Sequence, residues 1–132
     1  MASAAEFLRE AGVYFIATTD GDQPHLRPFG SNMVHDGKFY ISTGGTKAVY
    51  TQMKANSKVS LSAMKPNRDW IRIVGKAIEE TDTEAKAALI DSNPRLKEMY
   101  ANNPDEFVAF RIDDALCTVF EAGKEPAELP LL

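Results

Sequence analysis

Residues 13–34 give the clearest indication of the fold and read VYFIATTDGDQPHLRPFGSNMV. Asp-Gly-Asp at 20–22 is a hairpin turn signal between two strand-like runs, 13–19 and 24–34. The first run is apolar at both alternating sets of positions, which predicts a strand covered on both faces. Pro24 and Pro28 confine the second strand to an edge or a bulge, because proline donates no hydrogen bond to a sheet. We therefore expect an antiparallel hairpin at this point.

Hairpin-like runs continue along the rest of the chain. Alternation and turn residues predict strands over 38–43, 58–64 and 69–80, and a final strand or hairpin over 107–121. Four helices are predicted. The first spans 4–11, the second runs from a cap at Thr46 to about 56, and the third runs from the capping box at 81–84 to about 93. A fourth, short helix begins at Pro94. The fold class is therefore α+β, mainly β: a meandering antiparallel sheet with short flanking helices, most economically closed as a barrel.

Length and composition indicate the domain organisation. The chain has 132 residues, of which 44% are apolar and 26% charged, and this suits one globular domain over 1–132. The Pro- and Glu-rich tail, 123–132, is expected to be loosely ordered, although Leu129, Leu131 and Leu132 could dock on a neighbour.

Charge and residue usage bear on partners and location. A formal net charge of −4 with scattered charges argues against a nucleic-acid partner. No apolar run approaches the ~20 residues that span a membrane, and no signal-peptide pattern begins the sequence, so we expect a cytoplasmic protein without membrane contact. Cys117, the single cysteine, is predicted to be a buried strand thiol. His25 and His35 have no acidic or cysteine cluster nearby in sequence, so no metal site is predicted.

Residues 39–50, FYISTGGTKAVY, are the strongest candidate for an anion site. A strand runs through Gly44 and Gly45 into a helix headed by Thr46 and Lys47. The free N–H groups and the dipole of a helix's first turn favour an anion, and lysine supplies a countercharge. With the hydroxyls of Thr43 and Thr46, the pattern indicates a cradle for a phosphate monoester. The alternative is a simple turn, and the spacing is not that of a nucleoside triphosphate P-loop.

Two further segments place candidate ligand groups on strands. Arg27 stands between prolines, where its guanidinium can fork onto phosphate oxygens, and Phe29 and Gly30 would let a planar ring lie against the backbone. Trp70 and Arg72 share the face opposite the core face of their strand, which suits an interface or a flat anionic ligand. The alternatives are a solvated edge arginine and a lone surface Trp–Arg pair.

In order and spacing, these segments resemble the split-barrel families that bind flavin mononucleotide (FMN) and are related to pyridoxamine 5'-phosphate oxidase. The likeness covers 6–18, 24–29, 39–47, 56–61 and 70–75. The compact chain is similar to the small flavoproteins grouped with nitroimidazole-resistance reductases and general-stress proteins. The resemblance implies a Greek-key-like split β-barrel that forms a homodimer, with two FMN sites at the subunit interface.

The resemblance also implies roles for individual residues. One group would hold the phosphate, a second would border the flavin ring through backbone and Ser42, and a third would reach over from the second subunit. The residues implied for the phosphate are Arg27, Thr43, Thr46 and Lys47. Those implied for the flavin ring are Pro28, Phe29, Gly30 and Ser42. Those implied to reach over from the second subunit are Trp70 and Arg72.

The function implied is an FMN-dependent oxidoreductase that reduces a small planar acceptor with a small-molecule electron donor. The alternative is a non-catalytic FMN-binding module for electron transfer or storage. A third possibility is the same fold binding haem or the deazaflavin F420, and His25 and His35 make haem conceivable. The C-terminal residues carry no arginine-rich substrate motif like that of the oxidase, so vitamin B6 oxidation is not expected. No catalytic residue is assigned.

Overall fold

The structure is a computed structural model that describes residues 3–132. Its helices are α1 Ala4–Ala11, α2 Ala48–Ala55, α3 Thr83–Asp91 and α4 Pro94–Met99, and a 3-10 helix spans Pro104–Glu106. Its strands are β1 Tyr14–Asp20, β2 Gln23–Phe29, β3 Met33–His35, β4 Lys38–Gly44, β5 Lys58–Met64, β6 Trp70–Glu79, β7 Phe107–Phe120 and β8 Ala127–Leu129. The prediction of an α+β, mainly β fold with short flanking helices is confirmed.

The strands form one antiparallel sheet in the order β2-β1-β5-β6-β7-β4-β3, and β8 pairs with β7. No ladder joins β2 to β3, although only residues 30–32 separate them in sequence. The expectation of a closed barrel is therefore wrong. The single strand predicted over 24–34 is also wrong, because the chain leaves one edge of the sheet after Phe29 and enters the other at Met33. We call residues 28–32, which are the end of β2 and the link from it to β3, the seam.

Local capping signals account for the helix ends. The Ser3 hydroxyl accepts a hydrogen bond from the Glu6 N–H at 3.2 Å, and Gly12 ends α1 with a φ of 88°. The predicted α1 is thereby confirmed. Helix α3 starts one residue later than its capping box implied, because Asp82 accepts the Glu84 N–H at 3.2 Å.

The main core lies on one face of the sheet. It contains inward side chains of β1, β5 and β6, such as Ile16, Leu61 and Ile73, together with Phe7 and Leu8 of α1. The opposite side chains of β1 are not covered within this chain, since Phe15 remains 44% exposed. The prediction that β1 is covered on both faces is therefore not met by a single chain.

A second, smaller cluster fixes the helical hairpin α3–α4 against the sheet. Its buried members are Met33, Tyr40, Leu89, Leu96, Phe107 and Ala109. These residues join α3 and α4 to β3, β4 and β7. The hairpin therefore lies beside β4, where the candidate anion segment ends.

A bulge at Gly75 interrupts the pairing of β6 with β7. The register shifts between Val74 and Lys76, where β7 bends around Asp114, which has a φ of 52°. A Cβ at Gly75 would lie 2.9 Å from the Asp113 carbonyl oxygen and 3.0 Å from a methyl of Ile112. Glycine is required here because another strand's backbone approaches closely.

The C-terminal tail makes backbone contacts on both sides. Strand β8 pairs with β7, and the Ala4 and Ala5 N–H groups donate to the carbonyls of Pro130 and Leu131 at 2.8 and 3.0 Å. Leu129 and Leu131 also pack against the main core, so this segment has defined contacts that its Pro- and Glu-rich composition did not indicate.

Cys117 lies within the sheet, opposite Leu129 of β8. It is buried, and desolvation raises the pKa of its thiol to about 11. The prediction of a buried strand thiol is confirmed. In the part of the chain that the structure describes, no helix is both long enough and apolar enough to cross a membrane.

Candidate functional site

A cleft of about 230 Å³ opens between the seam, the end of β4 and helix α4. Six of the ten predicted site residues line it: Pro28, Phe29, Gly30, Ser42, Thr43 and Lys47. The remaining lining residues are Ser31, Asn93, Arg95, Leu96, Met99 and Tyr100. The structure therefore brings together two segments that sequence reasoning treated separately, and adds a third wall from α4.

Tyr14 contacts the seam residues that form one wall of the cleft. Its phenol donates a hydrogen bond to the Ser31 carbonyl, and its ring packs at a tilt against Phe29, with centroids 6.0 Å apart. Tyr14 is fully buried, and desolvation raises the pKa of its phenol far above the usual value, so the hydroxyl remains a neutral donor. The hydroxyls of Ser31 and Ser42 lie 2.9 Å apart and tie the seam to β4. Sequence reasoning missed Tyr14 and Ser31, since nothing local marks their contacts.

The turn between β4 and α2 is occupied by a side chain of the protein itself. One carboxylate oxygen of Glu106 accepts hydrogen bonds from the Thr46 N–H and the Thr46 hydroxyl, both at 2.8 Å. The Gly45 N–H donates to the Glu106 carbonyl at 2.9 Å. A Cβ at Gly44 would lie 2.9 Å from the same carboxylate oxygen, so this glycine makes room for Glu106. The predicted cradle therefore already holds an internal anion.

The helix start differs from the prediction for the same reason. Lys47, not Thr46, occupies the N-cap position of α2, and it makes no side-chain capping bond. Thr46 directs its hydroxyl to Glu106 instead. The pKa of the Glu106 carboxyl is lowered, first by the Thr46 N–H, then by the Thr46 hydroxyl, with the charge of Lys47 adding to both.

Arg27 does not line the cleft. Its guanidinium donates to the Thr18 hydroxyl and the Gln52 side-chain oxygen, each at 2.7 Å, and to the Ile16 carbonyl at 3.3 Å. Thr18 is buried and also donates to Gln52 at 2.6 Å, so the three side chains join β1, β2 and α2. Partial burial lowers the pKa of Arg27 through desolvation. In this geometry Arg27 holds α2 to the sheet.

Replacing Arg27 by lysine is expected to lower the free energy of unfolding by about 1–2 kcal/mol. The lysine ammonium cannot donate to all three oxygens that the planar Arg27 guanidinium now contacts. Urea unfolding followed by circular dichroism measures the change. Arg9→Lys on the exposed face of α1 is the control, with an expected change within about 0.5 kcal/mol. Unchanged stability in Arg27→Lys would contradict the structural role assigned to this guanidinium.

Trp70 and Arg72 lie on the side of the sheet away from the main core, which we call the outer face. Cross-strand register gives its side chains in three rows: Leu26, Ala17, Ser60, Val74 and Leu116; Pro28, Phe15, Ser62, Arg72 and Thr118; and Met64, Trp70 and Phe120. The Trp70 ring stacks on Phe120 at 4.0 Å, and the Arg72 guanidinium carbon lies 5.2 Å from the Trp70 ring centroid. Pro28 belongs both to this face and to the cleft.

The cleft lining is positively charged although the chain is acidic. Lys47 and Arg95 line it without a carboxylate among the lining residues, whereas the whole chain has a net charge of −4. Within residues 3–132, neither of these two side chains forms an ion pair or a side-chain hydrogen bond. Pro94 correctly marked the start of α4, but the sequence did not indicate that α4 covers the cleft.

The sequence profile of pyridoxamine 5'-phosphate oxidase matches residues 2–120. The chain belongs to this family. None of the curated proteins matches the sequence. Membership confirms the family resemblance identified from the quoted segments.

Solved structures of other proteins show the same fold. A NimC/NimA family protein from Clostridium acetobutylicum is 35% identical, with a TM-score of 0.90 over 96% of this chain and 88% of that one. A protein of the same organism related to general stress protein 26, of the pyridoxinephosphate oxidase family, is 18% identical, with a TM-score of 0.71 over 96% and 91%. The predicted split-barrel fold is thus confirmed.

A haem-binding protein from Mycobacterium smegmatis also shares the fold. It is 14% identical, with a TM-score of 0.72 over 98% of this chain and 59% of that one. Similarity at this identity concerns the fold alone. Among residues 3–132 of the present chain, no group of three or more His, Cys, Asp or Glu side chains is arranged to hold a metal ion.

Proposed function

We propose that the protein binds FMN in the cleft and reduces a small planar acceptor. The observation that carries this proposal is the cationic lining, with Lys47 and Arg95 unpaired beside the hydroxyls of Ser42 and Thr43. A phosphate monoester carries a charge of about −1.5 to −2 near neutral pH and accepts several hydrogen bonds. The lining therefore fits the phosphate end of this cofactor.

Different residues of the cleft would bind the phosphate and the ring of FMN. Lys47 supplies the countercharge to the phosphate, and Thr43 donates from its hydroxyl. At Gly30 nothing lies within 4 Å of a Cβ position, so the seam backbone is open to a flat ring beside Phe29. Bound FMN supplies the redox chemistry, while the protein binds and orients it. Arg27 and Thr46, implicated by family resemblance, act indirectly through their contacts with Gln52 and Glu106.

The proposed assembly is a homodimer with shared sites. The cleft of about 230 Å³ is smaller than the roughly 300–1,000 Å³ typical of small-molecule sites, which fits a site that a second chain would complete. The outer face exposes Phe15, Leu26, Met64, Val74 and Leu116. Several large apolar side chains exposed on one face typically mark an interaction surface. Trp70 and Arg72 on this face would then reach the partner's cleft at the Pro28 row.

Absorption spectroscopy and solution mass test this proposal. After loading with FMN and gel filtration, the wild-type protein is expected to show the paired flavin bands and the mass of a dimer. Absence of flavin would refute the cofactor assignment, and a Soret band would indicate haem instead. A stable monomer that retains FMN would refute the shared site.

Replacing Lys47 by alanine is expected to weaken FMN binding about tenfold, since a charge-assisted contact with phosphate is lost. Flavin fluorescence titration measures the dissociation constant. Lys124→Ala, in an exposed turn outside the cleft, is the control and is expected to bind FMN like the wild type. Equal affinity in Lys47→Ala and the control would place the phosphate elsewhere.

A non-catalytic FMN-binding module remains the alternative function. The observation that favours it is the absence of any carboxylate, histidine or cysteine among the residues that line the cleft. Turnover of a quinone or nitroaromatic acceptor with NADH or NADPH distinguishes the two functions. Flavin that is bound but not reduced by either donor would favour the module.

A further inference from the structure

Glu106 is held beside the cleft by both its backbone and its side chain. Its carbonyl accepts the Gly45 N–H, and its carboxylate accepts both donors of Thr46. It ends the 3-10 helix that leads into β7, so its position is fixed by the sheet as well. These contacts place a carboxylate at the turn that presents Lys47 to the cleft.

The charge of Glu106 acts on the same lysine that the proposed function assigns to phosphate. Two hydrogen bonds from Thr46 stabilise the ionised carboxylate, and Lys47 interacts with it electrostatically. A phosphate held by Lys47 would therefore lie near a fixed negative charge. Like charges repel, and the repulsion at an exposed site is modest and screened by salt.

We propose that Glu106 determines how strongly the cleft discriminates phosphorylated from unphosphorylated flavin. Its carboxylate offsets part of the attraction that Lys47 exerts on the FMN phosphate, and it withholds the Thr46 donors from that phosphate. Riboflavin has the same ring and no phosphate, so its affinity is independent of this charge. The inference rests on the proposed function, since it takes FMN to bind with its phosphate at Lys47.

Glu106→Gln tests the effect of the carboxylate charge without removing the hydrogen-bond acceptor of the turn. The amide oxygen of glutamine can still accept the Thr46 N–H and hydroxyl, so the turn keeps its geometry while the negative charge is removed. Asp105→Asn is the matched control, because it removes an exposed carboxylate from the same 3-10 helix and changes the net charge equally. Glu106→Ala is the second variant, which removes the charge without requiring an amide to fit the turn.

The experiment measures dissociation constants of FMN and of riboflavin by flavin fluorescence, at low and at high salt, for the wild type and the three variants. We expect Glu106→Gln and Glu106→Ala to tighten FMN binding by about three- to tenfold at low salt, with less effect at high salt. Riboflavin binding should change little in either variant. Asp105→Asn should leave the ratio of the two constants near the wild-type value.

An unchanged or reduced preference for FMN in Glu106→Gln overturns the inference while leaving the proposed function intact. An equal gain in Asp105→Asn overturns it as well, because the effect would then be one of net charge. If neither flavin binds the wild-type protein, the proposed function fails and this inference fails with it.

Discussion

Replacing Phe107 by alanine is expected to lower the free energy of unfolding by about 3–5 kcal/mol, the usual cost of removing a buried phenylalanine. Phe107 is fully buried at the centre of the second cluster. Its ring meets Tyr100 edge to face, with centroids 5.3 Å apart. The cavity left by the substitution lies directly under α4, so we expect α3 and α4 to loosen from the sheet and the cleft to lose its outer wall.

Phe39→Ala is the matched control for this local effect. Phe39 is as deeply buried but belongs to the main core, away from the α3–α4 hairpin. Denaturant unfolding should give similar losses in the two variants. Native-state hydrogen exchange over residues 83–99 should accelerate markedly more in Phe107→Ala than in Phe39→Ala. Equal acceleration would show that the second cluster does not hold the hairpin independently.

Replacing Gly75 by alanine is expected to cost about 3 kcal/mol, the upper end of the usual range for overpacking. The new methyl would meet the Asp113 carbonyl oxygen at 2.9 Å, and backbone in a paired strand cannot move aside as a flexible side chain can. Relief requires the bulge between β6 and β7 to shift. Urea unfolding measures the loss.

Gly30→Ala is the control for the loss of a glycine as such. No atom lies within 4 Å of a Cβ at Gly30, and its φ lies outside the left-handed region. We therefore expect its free energy of unfolding to stay within about 0.5 kcal/mol of the wild-type value. A similar loss in both variants would mean that the close contact at Gly75 is not the cause.

Local signals in the sequence were sufficient for most elements of this fold. Ser3 and Gly12 mark α1, Pro94 marks α4, and the alternation around Leu61 and Ile73 identifies strands with one buried face. Each of these signals depends on residues a few positions apart. Fold class and element order could therefore be predicted without knowledge of the packing.

The seam could not be predicted from local signals. Residues 24–34 read as one extended run, and the point where the chain leaves the sheet is set by non-local contacts, such as that of Tyr14 with Ser31. β-Propensity reports whether a residue suits a strand and says nothing about which edge that strand joins.

The candidate site shows the same limit. Lys47, Ser42 and the Pro28–Gly30 backbone were predicted and do line the cleft. Glu106 lies far from Thr46 in sequence, and Arg27 finds its acceptors on β1 and α2, so neither pairing leaves a local pattern. The sequence could identify groups able to bind an anion, but not which of them the protein uses internally.

The seam also constrains the order in which the chain folds. β2 and β3 are neighbours in sequence but lie at opposite ends of the sheet, and the α4 wall of the cleft packs on Phe107 of β7, which lies opposite Gly44 of β4. We therefore expect the complete cleft to form only after β4 has paired with β7. Such non-local pairing bears a large loop-closure entropy and is slow to form. The two hairpins β1–β2 and β3–β4 are local in sequence and do not include the α4 wall of the cleft. We therefore expect a ligand that fits the cleft to slow unfolding of the native protein and to leave the rate of folding almost unchanged.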